Sequence, residues 1–425
     1  MNVKVLQSTI RGKLDAPPSK SYTHRAIVMA SLAKTSRVIK PLVSEDTCAT
    51  VNACEAIGAT INPVGDTFVV DGVQGEPQQP ENVIDCQNSG TTLRFMIGVC
   101  SLIDGTTVLT GDASLRTRPS SQLIDALNEL GAKVAATKAN GMAPVIVQGV
   151  LSGGRSALTN PMSSQFLSAL LIACPLCQAD TTLNVHNLRS RPYVDMTLEL
   201  LNQAQINLST DYHEFMVPCC QQYADTDFLI PGDFSSAAFH LSAAAITNSR
   251  VSVHNLSESK QGDERIVPIL KEMGANISWE ADVVTADGAE LRGVTIDAGD
   301  VPDLVPILAV LGAYAKGTTE ISNVAHLRYK ETDRLIAMIT ELRKMQVDIK
   351  KVDDTLRIQG GTPKGASLSG YGDHRIVMAL AVAALGADGE TQIDTAESVK
   401  VSYPDFFDDI FALGANLEPT SIETF

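Results

Sequence analysis

The chain has 425 residues, 44% of them hydrophobic and 19% charged, with a formal net charge of −16. That length exceeds the usual single domain, so two domains are expected, and the composition suits a globular chain with a sizeable core. The acidic balance argues against general nucleic-acid binding, because a phosphate backbone would be repelled, yet it permits a small anion held by locally gathered cations.

In chain order, the segment Met1 to Leu14 has no apolar core of signal-peptide length, and later runs such as Phe166 to Cys174 are too short to span a bilayer. A cytoplasmic location without membrane partners is therefore expected. Markedly apolar helices are then predicted to open at Lys20, Thr91, Ser163, Ser235, Asp303 and Asp373, spaced by 68 to 72 residues. Helices apolar nearly all round must be buried. Between them, amphipathic runs end at Gly58, Gly131, Gln205, Gly274, Gln346 and Gly414, spaced by 68 to 74 residues. Glycine supplies a left-handed helix cap at four of these ends, and two lack it. The two series describe six repeats of about 70 residues.

The apolar helices begin with Ser, Thr, Asp or Gly, which cap orphan backbone N–H groups. Such termini are ordinary caps, but left open they bind anions. Lys20, Arg94, Arg118, Arg334 and Arg375 all fall at or within about one turn of a predicted helix start. Cations are normally favoured at the opposite end, so five of them here call for anionic compensation, which a bound phosphate or carboxylate would supply.

Eight cysteines form no disulfide framework. Cys174 and Cys177 have CxxC spacing, but no second pair matches them, so core packing is the expectation for them and for Cys219-Cys220. Ser31-Leu-Ala-Lys34 fits a serine acyl-enzyme motif, though it lies mid-helix without partner motifs.

Several segments, in one order along nearly the whole chain, resemble the 5-enolpyruvylshikimate-3-phosphate (EPSP) synthase family. They are Pro17-Pro18-Ser19-Lys20-Ser21-Tyr22-Thr23-His24-Arg25, Asn88-Ser89-Gly90-Thr91-Thr92-Leu93-Arg94, Gly111-Asp112 to Arg118-Pro119, Ser163-Ser164-Gln165 and Ser190-Arg191-Pro192-Tyr193. The second half adds Gly232-Asp233-Phe234-Ser235-Ser236, Pro302-Asp303, Lys330-Glu331-Thr332-Asp333-Arg334 and Asp373-His374-Arg375. The resemblance implies an α/β, two-domain enolpyruvyl transferase fold of six βαβαββ repeats, three per domain, each domain an inside-out α/β barrel. It places residues 1–17 and 231–425 in one domain and 18–230 in an inserted second, with the substrates between them. The implied reaction moves the enolpyruvyl group of phosphoenolpyruvate to the 5-hydroxyl of shikimate 3-phosphate, with no metal or organic cofactor, and the chain is expected to be a monomer.

By the same resemblance, Lys20, Gly90, Arg118, Gln165, Arg334, Arg375 and Lys400 belong to the phosphoenolpyruvate side. Lys20, Ser21, Arg25, Ser163, Ser164, Gln165, Ser190, Asp303 and Lys330 belong to the shikimate 3-phosphate side. Asp303 is the expected base near the attacked hydroxyl, and Glu331 the proton donor to the methylene carbon, with Lys20 and Lys330 assisting. His374 stands between a catalytic role and that of a buried, satisfied side chain. Arg116 is the fallback for Arg118. The chain departs from the family pattern at His326, where some members have asparagine, and at Phe95, where many have proline. The rival readings are the sister transferase acting on UDP-N-acetylglucosamine, which typically has a loop cysteine where this chain has Ala113, and a ring-shaped sliding clamp.

Overall fold

A computed structural model describes residues 1–420. The chain divides into two compact units, one formed by Met1–Pro17 with the chain from Pro231 onward, the other by Pro18–Ile230. Among the described residues, a buried helix and a more exposed one alternate six times. They are α1 (Lys20–Leu32) and α2 (Glu45–Ala56), α3 (Gly90–Cys100) and α4 (Ser121–Glu129), α5 (Ser164–Ala173) and α6 (Arg191–Gln203), then α7 (Phe234–Ile246) and α8 (Ile266–Met273), α9 (Val305–Tyr314) and α10 (Arg334–Lys344), α11 (His374–Gly386) and α12 (Phe406–Ala412). The odd-numbered helices are buried almost throughout, because their sequences are apolar on every face.

Among the described residues each unit carries three four-stranded sheets, and each sheet has one parallel and two antiparallel pairings. In one of them Arg11–Asp15 runs parallel to Arg250–His254, which pairs antiparallel with Val283–Asp287, itself antiparallel to Asn276–Glu280. The helices α7, α9 and α11 pack on one another inside the first unit, as α3 does on α5 and α1 in the second. Helices therefore form the interior and sheets the exterior, the inside-out α/β arrangement.

All six repeat ends adopt positive φ: Gly58 at 104°, Gly131 at 99°, Gln205 at 59°, Gly274 at 104°, Gln346 at 65° and Gly414 at 105°. Gln205 and Gln346 thus take the left-handed cap that glycine takes elsewhere, and the two apparent exceptions obey the same geometry. Only the start at Lys20 falls as expected; α5 and α11 begin one residue late, at Ser164 and His374, with Ser163 and Asp373 as their caps, and α7 begins one residue early, at Phe234. α3 begins one residue early, at Gly90. Asp303 lies in a 3₁₀ turn, Pro302–Leu304, with α9 starting only at Val305. Phe95 does not interrupt α3; it is buried there with the Arg25 guanidinium over its ring at 5.3 Å.

The cysteine expectation holds for one pair and fails for the other. Cys174 and Cys177 are buried, but Cys220 is exposed and Cys219 half-buried, since both follow the strand Glu214–Val217 in a surface turn. The Ser31 hydroxyl is buried and donates to the Ile27 carbonyl at 2.8 Å, a helix-internal bond that leaves it no nucleophile's role.

Candidate active site

In the Pro18–Ile230 unit the predicted residues gather at three buried helix starts. Lys20 is the first residue of α1, and its Nζ donates to Asp46 Oδ2 at 2.9 Å. Asp46 lies in the first turn of α2 and is buried; neither the motif nor the spacing singled it out. Ser21 is half-buried beside Lys20. Arg25, one turn on, is buried and donates to Thr197 Oγ1 (2.8 Å), the Ser21 carbonyl (2.8 Å) and the Tyr193 carbonyl (2.9 Å). Burial pushes its guanidinium down to about 10.

Gly90 opens α3 behind its cap Ser89, whose Oγ accepts from the Thr92 N–H. A Cβ at Gly90 would lie 3.4 Å from an Arg118 nitrogen and 3.4 Å from an Arg94 nitrogen. Although Gly90 is buried, its lack of a Cβ keeps the space between the two guanidinium groups clear of a side chain. Arg118 donates to the Asn88 carbonyl (3.1 Å), Asn88 Oδ1 (2.6 Å) and Ser114 Oγ (3.0 Å). Arg116 instead points outward and donates to the Gly111 carbonyl, so Arg118 is the inner of the two. Arg94 donates to Gln165 Oε1 at 2.5 Å and lies over the Phe166 ring at 5.3 Å, while Gln165 Nε2 donates to Thr91 Oγ1 at 2.9 Å. Ser163 caps α5 by accepting from the Gln165 N–H, and Ser164 is buried beside it. Ser190 precedes α6 in the left-handed region at φ 54°, an uncommon conformation for serine.

In the other unit, three cations converge on one carboxylate. Asp303 Oδ1 accepts from Lys330 Nζ at 3.3 Å and Arg334 Nη1 at 3.0 Å, and Arg375 Nη2 lies 3.1 Å from Oδ2. Arg334, fully buried as the first residue of α10, also donates to Glu331 Oε2 at 2.6 Å and to both oxygens of Asp373. Burial works against its charge, and Asp373, Glu331 and Asp303 more than reverse this, holding the guanidinium above its ordinary value. Asp333 caps α10 and Asp373 caps α11, which turns Arg334 and Arg375 inward. Within the Lys330–Arg334 segment the arginine sits in the core and the four residues before it are half-buried. His374 is buried at the start of α11. Lys400 is exposed at the end of the 3₁₀ turn Ala396–Val401, and His326 is half-buried in the turn Ala325–Tyr329.

For Lys20, Arg334 and Arg375 the expected compensation is therefore provided within the protein by Asp46, Asp303, Glu331 and Asp373, whereas Arg94 and Arg118 are held by the neutral groups of Gln165, Asn88 and Ser114. Two further residues escaped the sequence reading. Glu341 is fully buried and accepts from Ser369 N–H (2.9 Å), Tyr371 Oη (2.9 Å) and Lys344 Nζ, fixing the loop that leads into Asp373. Asp263 is buried, receives the Ser235 hydroxyl, and is pushed up to about 7 by burial and by the neighbouring charge of Asp303. Glutamate within an amphipathic helix gives no local signal of burial, and neither does Asp263 in the polar run Gln261-Gly262-Asp263-Glu264.

Among the described residues no helix is long and apolar enough to cross a membrane. The family model for EPSP synthase, 3-phosphoshikimate 1-carboxyvinyltransferase, matches residues 6–410. A 3-phosphoshikimate 1-carboxyvinyltransferase of Methanocella arvoryzae is 53% identical over 98% of this chain and 100% of its own length. That of Methanosarcina acetivorans is 50% identical over the whole of both chains. A solved EPSP synthase from Acinetobacter baumannii superposes with a TM-score of 0.84 at 28% identity, covering 98% of this chain and 99% of that one. With its six-repeat fold and these full-length matches, the chain belongs to the EPSP synthase (3-phosphoshikimate 1-carboxyvinyltransferase) family.

Proposed function

We propose that this chain transfers the enolpyruvyl group of phosphoenolpyruvate to the 5-hydroxyl of shikimate 3-phosphate, releasing phosphate. Membership of the EPSP synthase family supports the reaction. The observation that carries the assignment of chemistry is the Asp303 carboxylate held by Lys330, Arg334 and Arg375, with Glu331 on the same arginine.

The reaction protonates the methylene carbon of phosphoenolpyruvate while the 5-hydroxyl adds to C2. The tetrahedral adduct then loses a methyl proton and expels phosphate. In this reading Asp303 accepts the hydroxyl proton, and Glu331 delivers and later recovers the carbon-bound proton. Arg334 and Arg375, together with Lys20, Arg118 and Gly90, receive the carboxylate and phosphate charges, and Lys20 follows charge onto the leaving phosphate. Ser163, Ser164, Gln165 and Ser190 offer hydroxyl, amide and helix N-terminal donors to the 3-phosphate. Arg25 supports that group through Ser21, Tyr193 and Thr197. Lys330 and Lys400 complete the cationic set, and His374 positions the start of α11. The chain acts as a monomer in the cytoplasm.

A coupled phosphate-release assay tests this, with each substrate omitted in turn. Phosphate release that requires both compounds is expected. Release with UDP-N-acetylglucosamine in place of shikimate 3-phosphate would instead favour the sister transferase.

A further inference from the structure

The catalytic reading uses the starts of α1, α2 and α3 but leaves unexplained a buried polar chain one turn behind them. His24 Nδ1 lies 2.6 Å from Thr50 Oγ1, and Thr50 Oγ1 lies 2.6 Å from Thr92 Oγ1. Thr92 Oγ1 donates to Ser89 Oγ at 2.7 Å, and the Thr92 N–H reaches the same oxygen at 3.2 Å. All four side chains are fully buried. His24 stands one turn after Lys20, Thr50 one turn after Asp46, and Ser89 is the cap immediately before Gly90.

Counting protons fixes the direction of the chain. Each hydroxyl has one proton to donate. Thr92 donates its proton to Ser89, so it can only accept from Thr50. Thr50 then has none left for His24, and His24 must donate from Nδ1. The Nε2 atom of His24 is left as a bare acceptor, buried and without a hydrogen-bond partner among the described residues. Burial, with the charges of Lys20 and Arg25 beside it, holds this imidazole well below its ordinary value, so it stays neutral.

We propose that the unidirectional chain His24 Nδ1–H to Thr50 to Thr92 to Ser89 is a positioning device, setting the Lys20–Asp46 pair in register with the backbone at Gly90. Besides the Lys20–Asp46 pair, whose lysine stem is flexible, and Arg25 over the Phe95 ring, these helices meet through apolar packing, which tolerates small sliding at little cost. Directed hydrogen bonds between buried hydroxyls do not, because a displaced hydroxyl is left unsatisfied. A hydroxyl relay thus supplies the angular precision that an anion site between Lys20 and Gly90 requires. This inference rests on the proposed placement of Lys20 and Gly90 at phosphoenolpyruvate.

The test combines a spectroscopic and a kinetic readout on the full chain. Two-bond proton–nitrogen spectra of nitrogen-15-labelled protein, with His24→Gln for assignment, should show His24 as the Nδ1–H tautomer, unchanged across neutral pH. An Nε2–H tautomer overturns the proposal. Thr50→Val, which removes the hydroxyl at nearly constant shape, should raise KM for phosphoenolpyruvate about five- to tenfold with kcat within about twofold, the range set by one net buried hydrogen bond. Thr50→Ser should restore KM. If Gly90→Ala raises KM and Thr50→Val does not, the positioning role falls while the site assignment stands. If both substitutions are silent, the site assignment itself falls, and the proposal with it.

Discussion

Arg334 and Asp373, 39 residues apart, meet through two hydrogen bonds, from Nε to Oδ2 at 2.8 Å and from Nη2 to Oδ1 at 3.2 Å, with both side chains out of contact with solvent. Asp373 also caps α11 by accepting from the Arg375 N–H at 2.9 Å. One carboxylate therefore fixes two arginines, and Arg334 in turn holds Asp303 and Glu331. Removing the guanidinium in Arg334→Ala leaves three carboxylates facing one another without their shared cation. The expected cost is about 3 kcal/mol of stability, as for other broken buried pairs, with turnover abolished. Arg334→Lys keeps the charge but not the fork, and should recover part of the stability and little of the activity. Urea unfolding and the phosphate-release assay measure both; an alanine variant as stable as the parent contradicts the central role of this arginine.

At Gly90 the geometry separates folding from binding. An added methyl sits 3.4 Å from nitrogens of Arg94 and Arg118, ordinary contact rather than a clash. Gly90→Ala should therefore melt within about a degree or two of the parent, or slightly above it, because alanine is the better helix residue. The methyl nevertheless occupies the approach to both guanidiniums, and KM for phosphoenolpyruvate should rise about tenfold or more. An unchanged KM removes Gly90 from the site.

The Asp263 carboxyl gives a pH signature. Its folded value is pushed up to about 7 from an ordinary 3.8, so the folded state binds the extra proton between those limits. Stability from this group is full below about pH 4 and is lost as pH rises through 7. Asp263→Asn should relieve that loss, gaining a few kcal/mol relative to the parent between pH 5 and pH 8. Melting curves at the two pH values decide it. A variant whose melting point tracks the parent's at both would show that Asp263 is already ionised.

The repeat ends make a prediction about stability alone. Gln346 holds φ 65°, where a side chain is unfavourable and glycine is not. Gln346→Gly should stabilise by about 0.5 kcal/mol, the relief being offset by the greater freedom of an unfolded glycine. Gly414→Ala, at φ 105°, should destabilise by about 1 kcal/mol or more. The two shifts in urea midpoint must have opposite signs; a shared sign would break the equivalence of the repeat ends.

The sequence by itself determined the six repeats, the burial of every second helix and the caps that open and close them. Those features follow from residues within a few positions of one another: an all-apolar face forces burial, and Ser, Asp or a left-handed residue satisfies local backbone groups. The motifs also named Lys20, Arg118, Asp303 and Arg334. Which side chain answers each cation was decided only by the tertiary structure. Asp46 lies 26 residues from Lys20, and Gln165 lies 71 from Arg94. Glu341 reaches Ser369 and Tyr371 from within its helix. A charge carries no local mark of its partner, because its range within a buried site is set by the surrounding dielectric and by side chains that folding brings in from other repeats.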